Sequence, residues 1–232
     1  MEARKNGFYE PLTDELAELR EKSEEERVPI ILKETESFLK TFLGITKPER
    51  ILEIGCAVGY SAMFFAGLTG AEVYTVEKDH EMFLTAQKNI EKYGYSNLVT
   101  VLEGDGQEAA ALLHKQGTQP FDFVFIDAAK SHYKRFLEGC LPLCKKNTVI
   151  LSDNVLFQAR VADDRYDPDG KYKTNIKKMR EFLDLIHQDP RFDSSVIAVG
   201  DGLALTRLTE NGVKNFNEKN RTARSRGRFG KT

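Results

Sequence analysis

Short, unbroken apolar runs, each closing on an acidic or glycine residue, alternate along the chain with segments of helical period. The runs predict strands at 50–54, 72–77, 98–102, 121–126 and 148–151. They are rich in β-branched and aromatic residues and lack polar alternation, the mark of strands buried on both faces. Helices are predicted between them at 60–68, 79–93, 107–115, 133–143 and 175–188, after two N-terminal helices at 13–26 and 31–43. Two last strands, 194–199 and 203–208, flank a hairpin-like Gly200-Asp201-Gly202 turn. The fold class expected is α/β, a Rossmann-like doubly wound sheet of seven strands with the last strands antiparallel. Residues 1–212 form one domain in this reading, and 213–232 form a basic tail.

The chemistry collects where strands end. In an open α/β sheet the ligand crevice lies at the carboxyl ends of the strands. Phe125-Ile126-Asp127-Ala128-Ala129-Lys130 and Leu151-Ser152-Asp153-Asn154 therefore bring Asp127, Asp153 and the Asn154 amide oxygen to one place. An all-oxygen set suits a hard cation such as magnesium or calcium better than zinc. Taken alone, either turn reads equally as strand punctuation, because Asp and Asn close turns by bonding nearby backbone. Upstream, Glu53-Ile54-Gly55-Cys56-Ala57-Val58-Gly59-Tyr60-Ser61 runs from a strand through a glycine turn into a helix. Such a turn lets backbone amides approach a polar ligand closely. Its Gly-x-x-x-Gly spacing is not the dinucleotide pattern. Glu77, at the end of the next strand, can accept ribose hydroxyls. Asp105, in Glu103-Gly104-Asp105-Gly106, can accept an exocyclic amine beside a flat ring.

These ordered motifs resemble the S-adenosylmethionine-dependent, metal-dependent O-methyltransferases that include the catechol and caffeoyl-CoA enzymes, over about residues 28–208. Within that family, Val28-Pro29-Ile30-Ile31, 125–130, Asp153-Asn154-Val155-Leu156-Phe157 and 199–204 are most similar to the bacterial tRNA 5-hydroxyuridine methyltransferases. The resemblance implies that Ile31, Ser61, Glu77, Asp105, Gly106 and Asp127 contact S-adenosylmethionine, with Glu53 and Gly55 lining the same pocket. It implies metal ligands Asp127, Asp153 and Asn154, magnesium or another divalent cation between them, and Lys130 as general base. The expected reaction is methylation of the 5-hydroxyl of 5-hydroxyuridine at the tRNA wobble position, giving 5-methoxyuridine. A small catechol-like or caffeoyl-CoA-like hydroxyl compound is the alternative acceptor. Cys56 stands where many relatives carry Thr or Val, and Ala129 where plant and animal enzymes carry a larger or acidic residue. Relatives of this kind imply a homodimer.

Composition changes the picture in two places. The net charge of −2 divides into +6 over residues 213–232 and −8 over the remainder. A basic, Gly- and Asn-containing tail of this kind either binds a phosphate backbone, here tRNA, or simply solubilises. An RNA-binding protein with a vestigial pocket is the reading from another class, and intact Glu77, Asp127, Asp153 and Asn154 argue against it. Cys56, Cys140 and Cys144 are odd in number and lack metal spacing, so reduced thiols in a cytoplasmic protein are expected, the last two on one helix face. No stretch is long and apolar enough to span a membrane, and the charged start lacks the apolar core of a secretory signal. His80, His114, His132 and His187 are scattered, which excludes a zinc cluster. The polar stretch 154–175 is expected to form a lid.

Overall fold

A computed structural model describes residues 9–209. Its core is a seven-stranded sheet of order β3-β2-β1-β4-β5-β7-β6. The strands are β1 Arg50–Ile54, β2 Glu72–Glu77, β3 Val99–Glu103, β4 Phe121–Ile126, β5 Cys144–Ser152, β6 Phe192–Ile197 and β7 Leu203–Leu208. All neighbours pair in parallel except β7, which runs antiparallel to both β5 and β6. The helices are α1 Asp14–Glu25, α2 Lys33–Thr46, α3 Tyr60–Thr69, α4 His80–Lys92, α5 Gly106–Lys115, α6 Tyr133–Cys140 and α7 Lys173–Gln188.

Side-chain alternation along each strand divides the core between the two faces. Ile51, Val73, Phe123 and Phe125 pack against α1 to α4, whereas Leu52, Ile54, Val124 and Ile126 pack against α5 to α7. That double coverage is why the strands read as continuous apolar runs. Helix starts follow their caps: Thr13 Oγ1 accepts from Leu16 N at 3.3 Å, and Asp79 Oδ1 accepts from Met82 N at 3.0 Å. Among the described residues no helix is long and apolar enough to cross a membrane.

The structure corrects several boundaries. The predicted helix 133–143 stops at Cys140, and a 3-10 turn of Leu141–Leu143 leads straight into β5. Pro142 opens that turn; lacking an N–H, it cannot continue an α-helix. Cys140 and Cys144 therefore share no helix face; Cys144 Sγ instead donates to the Cys140 carbonyl at 3.2 Å. Strand β5 begins four residues before the apolar run because Lys145-Lys146-Asn147 extends past the core, with a register shift against β4. Helix α2 begins at Lys33 rather than 31, since Leu32 is extended (φ −66°, ψ 152°). That leaves Ile31 outside the helix. The sixth strand lies two residues earlier than predicted. The basic tail falls outside the described residues.

Candidate active site

Strand β1 is the switch point of the sheet, with β2 on one side and β4 on the other. A cavity of about 900 Å³ opens there, within the size range of small-molecule sites. Ile31, Gly55, Ser61, Glu77, Asp105, Gly106, Asp127, Lys130 and Asn154 all line it. Glu53 and Asp153 do not.

The glycine turn is shaped by contacts that a side chain would destroy. Gly55 has φ +99°, and a Cβ there would lie 1.9 Å from the Asp127 carbonyl oxygen. Gly106 lets α5 approach β1, since its Cβ would meet Ile54 Cγ2 at 2.4 Å. Glu77 holds this turn closed. Its Oε2 accepts from Cys56 N (3.2 Å) and Ala57 N (2.7 Å), and Oε1 accepts from Lys78 N and Asp79 N, both at 2.8 Å. Those four amides use the acceptor positions of a carboxylate, so ribose hydroxyls would have to share or replace them.

Two expectations about donor-pocket residues change. Glu53 is buried beneath the cavity floor, where its Oε2 accepts from Thr75 Oγ1 and its Oε1 has no partner. Burial pushes its pKa up to about 7 against the opposing Ser61 and Thr75 hydrogen bonds. Asp105 is not a free acceptor. Its Oδ1 caps α5 through Gln107 N at 3.1 Å, and its Oδ2 pairs with Arg135 at 2.5 Å and Lys78 at 3.6 Å. Burial opposes ionisation there, but the Gln107 amide and these two cations outweigh it and hold the carboxyl below its usual range.

The acidic turns do converge. Asn154, in the left-handed region at φ 57°, donates Nδ2 to Asp127 Oδ1 at 3.1 Å and its backbone N–H to Asp153 Oδ1 at 2.6 Å. Asp153 Oδ2 is buried with no partner. Burial first, then the Asp127 charge, pushes the Asp153 pKa up to about 8. Burial likewise raises Asp127, opposed by Lys130 and by the Asn154 hydrogen bond. The Lys130 ammonium sits 5.3 Å from the centre of the Phe157 ring. Among the described residues no group of three or more His, Cys, Asp and Glu side chains is placed to hold a metal. The oxygen set here is two carboxylates and an amide.

Sequence reasoning missed the supports of this set. Tyr133 is buried and donates its hydroxyl to the Asp153 carbonyl at 2.8 Å. Asp201 anchors the start of the expected lid: its carbonyl accepts from Leu156 N at 2.9 Å and its Oδ1 from Gln158 N at 2.5 Å. Val155 and Val161 are buried, and Arg180 Nε bonds the Val161 carbonyl at 2.9 Å. Residues 155–161 thus form a pinned turn rather than a swinging lid. The Gly-Asp-Gly spacing around Asp201 was the available signal.

The comparisons agree with this architecture. The O-methyltransferase family profile matches residues 8–209. The caffeoyl-CoA O-methyltransferase of Populus kitakamiensis is 31% identical over 177 residues, which cover 73% of this chain and 74% of that one. The catechol O-methyltransferase of Niastella koreensis is 29% identical over 175 residues, 72% and 77% of the two chains. The crystal structure of an O-methyltransferase from Bacillus cereus in complex with SAH matches with a TM-score of 0.76 at 27% identity, covering 86% of this chain and 92% of that one. A profile spanning nearly all of the described residues, joined to the same sheet, assigns the chain to the O-methyltransferase family as an S-adenosylmethionine-dependent enzyme.

Proposed function

We propose that this enzyme methylates an acidic hydroxyl held beside Asp127, Asp153 and Asn154, with a divalent cation, magnesium by preference, bound by those three residues. The buried, partnerless Asp153 Oδ2 carries the reading. Two adjacent carboxylates removed from water are costly unless a cation or a proton compensates them. The all-oxygen set fits a hard cation, and such an ion, when bound, would stabilise the acceptor oxyanion as a Lewis acid. S-adenosylmethionine supplies an activated methyl group, and the 900 Å³ cavity with its glycine-lined floor fits a molecule of that size.

The chain's own residues then have separate tasks. Ser61, beside the glycine turn, faces the donor's polar end, and Ile31 adds apolar lining to the same cavity. Lys130, once its ammonium has given up a proton to solvent, takes the acceptor's proton at the free Nζ lone pair, a general-base role. Tyr133 and Asp201 keep the acid pair and the 154–159 segment in place, and fixed alignment supplies much of the rate in a direct displacement.

For the acceptor we favour 5-hydroxyuridine in tRNA, supported by the likeness of residues 28–31, 125–130, 153–157 and 199–204 to that group. Relatives named for catechol and caffeoyl-CoA favour the second reading, a small phenolic hydroxyl. Incubation of the purified enzyme with S-adenosylmethionine, magnesium, and either tRNA bearing 5-hydroxyuridine or catechol separates the two by mass spectrometry of the products. Methylated catechol with untouched tRNA would reject the RNA acceptor. Undiminished turnover in excess chelator would reject the cation.

A further inference from the structure

Outside the cavity lining, α1, α2 and the start of α3 bury a charged cluster that the reaction does not use directly. Arg20 is 4% exposed, Glu36 1% and Tyr60 0%. Arg20 pairs with Glu36 and donates its Nε to Tyr60 Oη at 3.2 Å, while Tyr60 donates to Glu36 Oε2 at 2.8 Å. The guanidinium also stacks on the Tyr60 ring, 4.6 Å from its centre. Replacing a buried ion pair by apolar residues is often neutral or stabilising, so stability alone does not account for this one.

The geometry of this one supplies a role. Arg20 Nη2 donates to the Ile31 carbonyl at 2.9 Å. Ile31 sits in the extended 29–32 segment, which lines the cavity and belongs to neither α1 nor α2. Tyr60 is the first residue of α3, next to Ser61, which also lines the cavity. One guanidinium therefore ties two cavity-lining segments, 29–32 and the start of α3, through its planar fork, which a lysine cannot reproduce.

We propose that Arg20 is a positioning residue for S-adenosylmethionine: locked by Glu36 and Tyr60, it holds the 29–32 wall against the start of α3, so that the pocket is formed before the donor enters. The gain comes from preorganisation, because a wall already ordered costs nothing to order on binding. The proposal rests on that cavity being the donor pocket.

Calorimetric titration of S-adenosylmethionine into the full-length protein tests it, using wild type, Arg20→Lys, Tyr60→Phe and the control Leu113→Ala. Leu113 is buried near the far end of α5 and does not line the cavity, and it touches none of Arg20, Glu36 and Tyr60, so its truncation destabilises the fold without touching the clamp. Arg20→Lys should weaken binding about tenfold and Tyr60→Phe about threefold, in proportion to the charge-assisted bonds each removes. The control should keep wild-type affinity at an equal or larger loss of melting temperature. Wild-type affinity in both clamp variants overturns the proposal alone, as does a control weakened as much as they are. A wild-type protein that fails to bind S-adenosylmethionine overturns the pocket reading beneath it.

Discussion

Replacing Gly55 by Ala strikes the donor turn and the acid pair with one methyl group. The backbone at Gly55 has φ +99°, where an L side chain costs about 1–2 kcal/mol. The added Cβ would also lie 1.9 Å from the Asp127 carbonyl oxygen and 2.8 Å from its carbon, both backbone atoms that cannot rotate away. Relief requires the ends of β1 and β4 to part, and overpacking of this kind costs about 1–3 kcal/mol more. The total, about 2–5 kcal/mol, lowers the melting temperature of a chain this size by roughly 5–15 °C. Gly70 is the internal comparison: its φ is +72°, but nothing lies within 4 Å of its Cβ position. Gly70→Ala should therefore show the conformational cost only, about 1–2 kcal/mol, with unchanged binding of S-adenosylmethionine. Gly55→Ala should lose at least about tenfold in affinity, the equivalent of roughly 1.4 kcal/mol. Scanning calorimetry and titration of the two variants side by side make the check. Equal melting temperatures in the pair, or wild-type affinity in Gly55→Ala, would refute the steric argument.

Three further outcomes follow from the acids and the lysine. Glu53 has a folded pKa of about 7 against 4.5 for the ordinary side chain, so the native state binds the extra proton between those values. Stability should fall as pH rises through that window, and Glu53→Gln should flatten part of the fall, gaining at most on the order of 3 kcal/mol at pH 8 in urea titrations. A Glu53→Gln variant with the wild-type slope would put the titration elsewhere. With the proposed cation site, magnesium should raise the melting temperature of the wild type and not that of Asp153→Asn, while S-adenosylmethionine affinity stays within about threefold, roughly 0.7 kcal/mol. Lys130→Met should lower kcat by about 10²- to 10⁴-fold with little change in donor affinity; a loss confined to affinity would remove it from proton transfer.

Strands were legible in the sequence because burial on both faces leaves an unbroken apolar signature, as in Phe123-Val124-Phe125-Ile126. Site residues at strand ends were legible for the same reason, since a sheet places every such end along one edge. What pattern could not carry was partner identity. Asp105 reads as an open acceptor until Arg135, thirty residues away, occupies it. The family resemblance implies Glu53 as a pocket residue, yet strand alternation turns it beneath the floor, toward Thr75 on β2. Arg20 gave no signal of its clamp: Ile31, Glu36 and Tyr60 lie 11 to 40 positions away, with no periodicity linking them to it. The start of β5 was missed because its first residues leave the core, and apolar runs report burial rather than pairing.

The register of the three central strands explains why donor turn and acid pair lie together. Ile54 stands opposite Ile126, and Ile126 opposite Ser152. One residue further along, Gly55, Asp127 and Asp153 form the next rung, with neighbouring strands about 4.8 Å apart. Parallel pairing thus fixes two carboxylates side by side at the mouth of a buried sheet, where burial raises both pKa values and the Asp127 charge raises that of Asp153 further. It also presses the Asp127 backbone against the floor of the donor turn, which is why only glycine fits at 55. A slip of one residue in β4 would turn its apolar side chains to the wrong faces and carry Asp127 off the rung. The packing of Val124 and Ile126 on one face and Phe123 and Phe125 on the other forbids that slip. The energy that orders the core therefore also sets the spacing of the two acids and their place beside the glycine turn. Catalytic alignment and core packing are one constraint in this fold, and a substitution that loosened β4 anywhere along its length would be felt first as misplacement of Asp127.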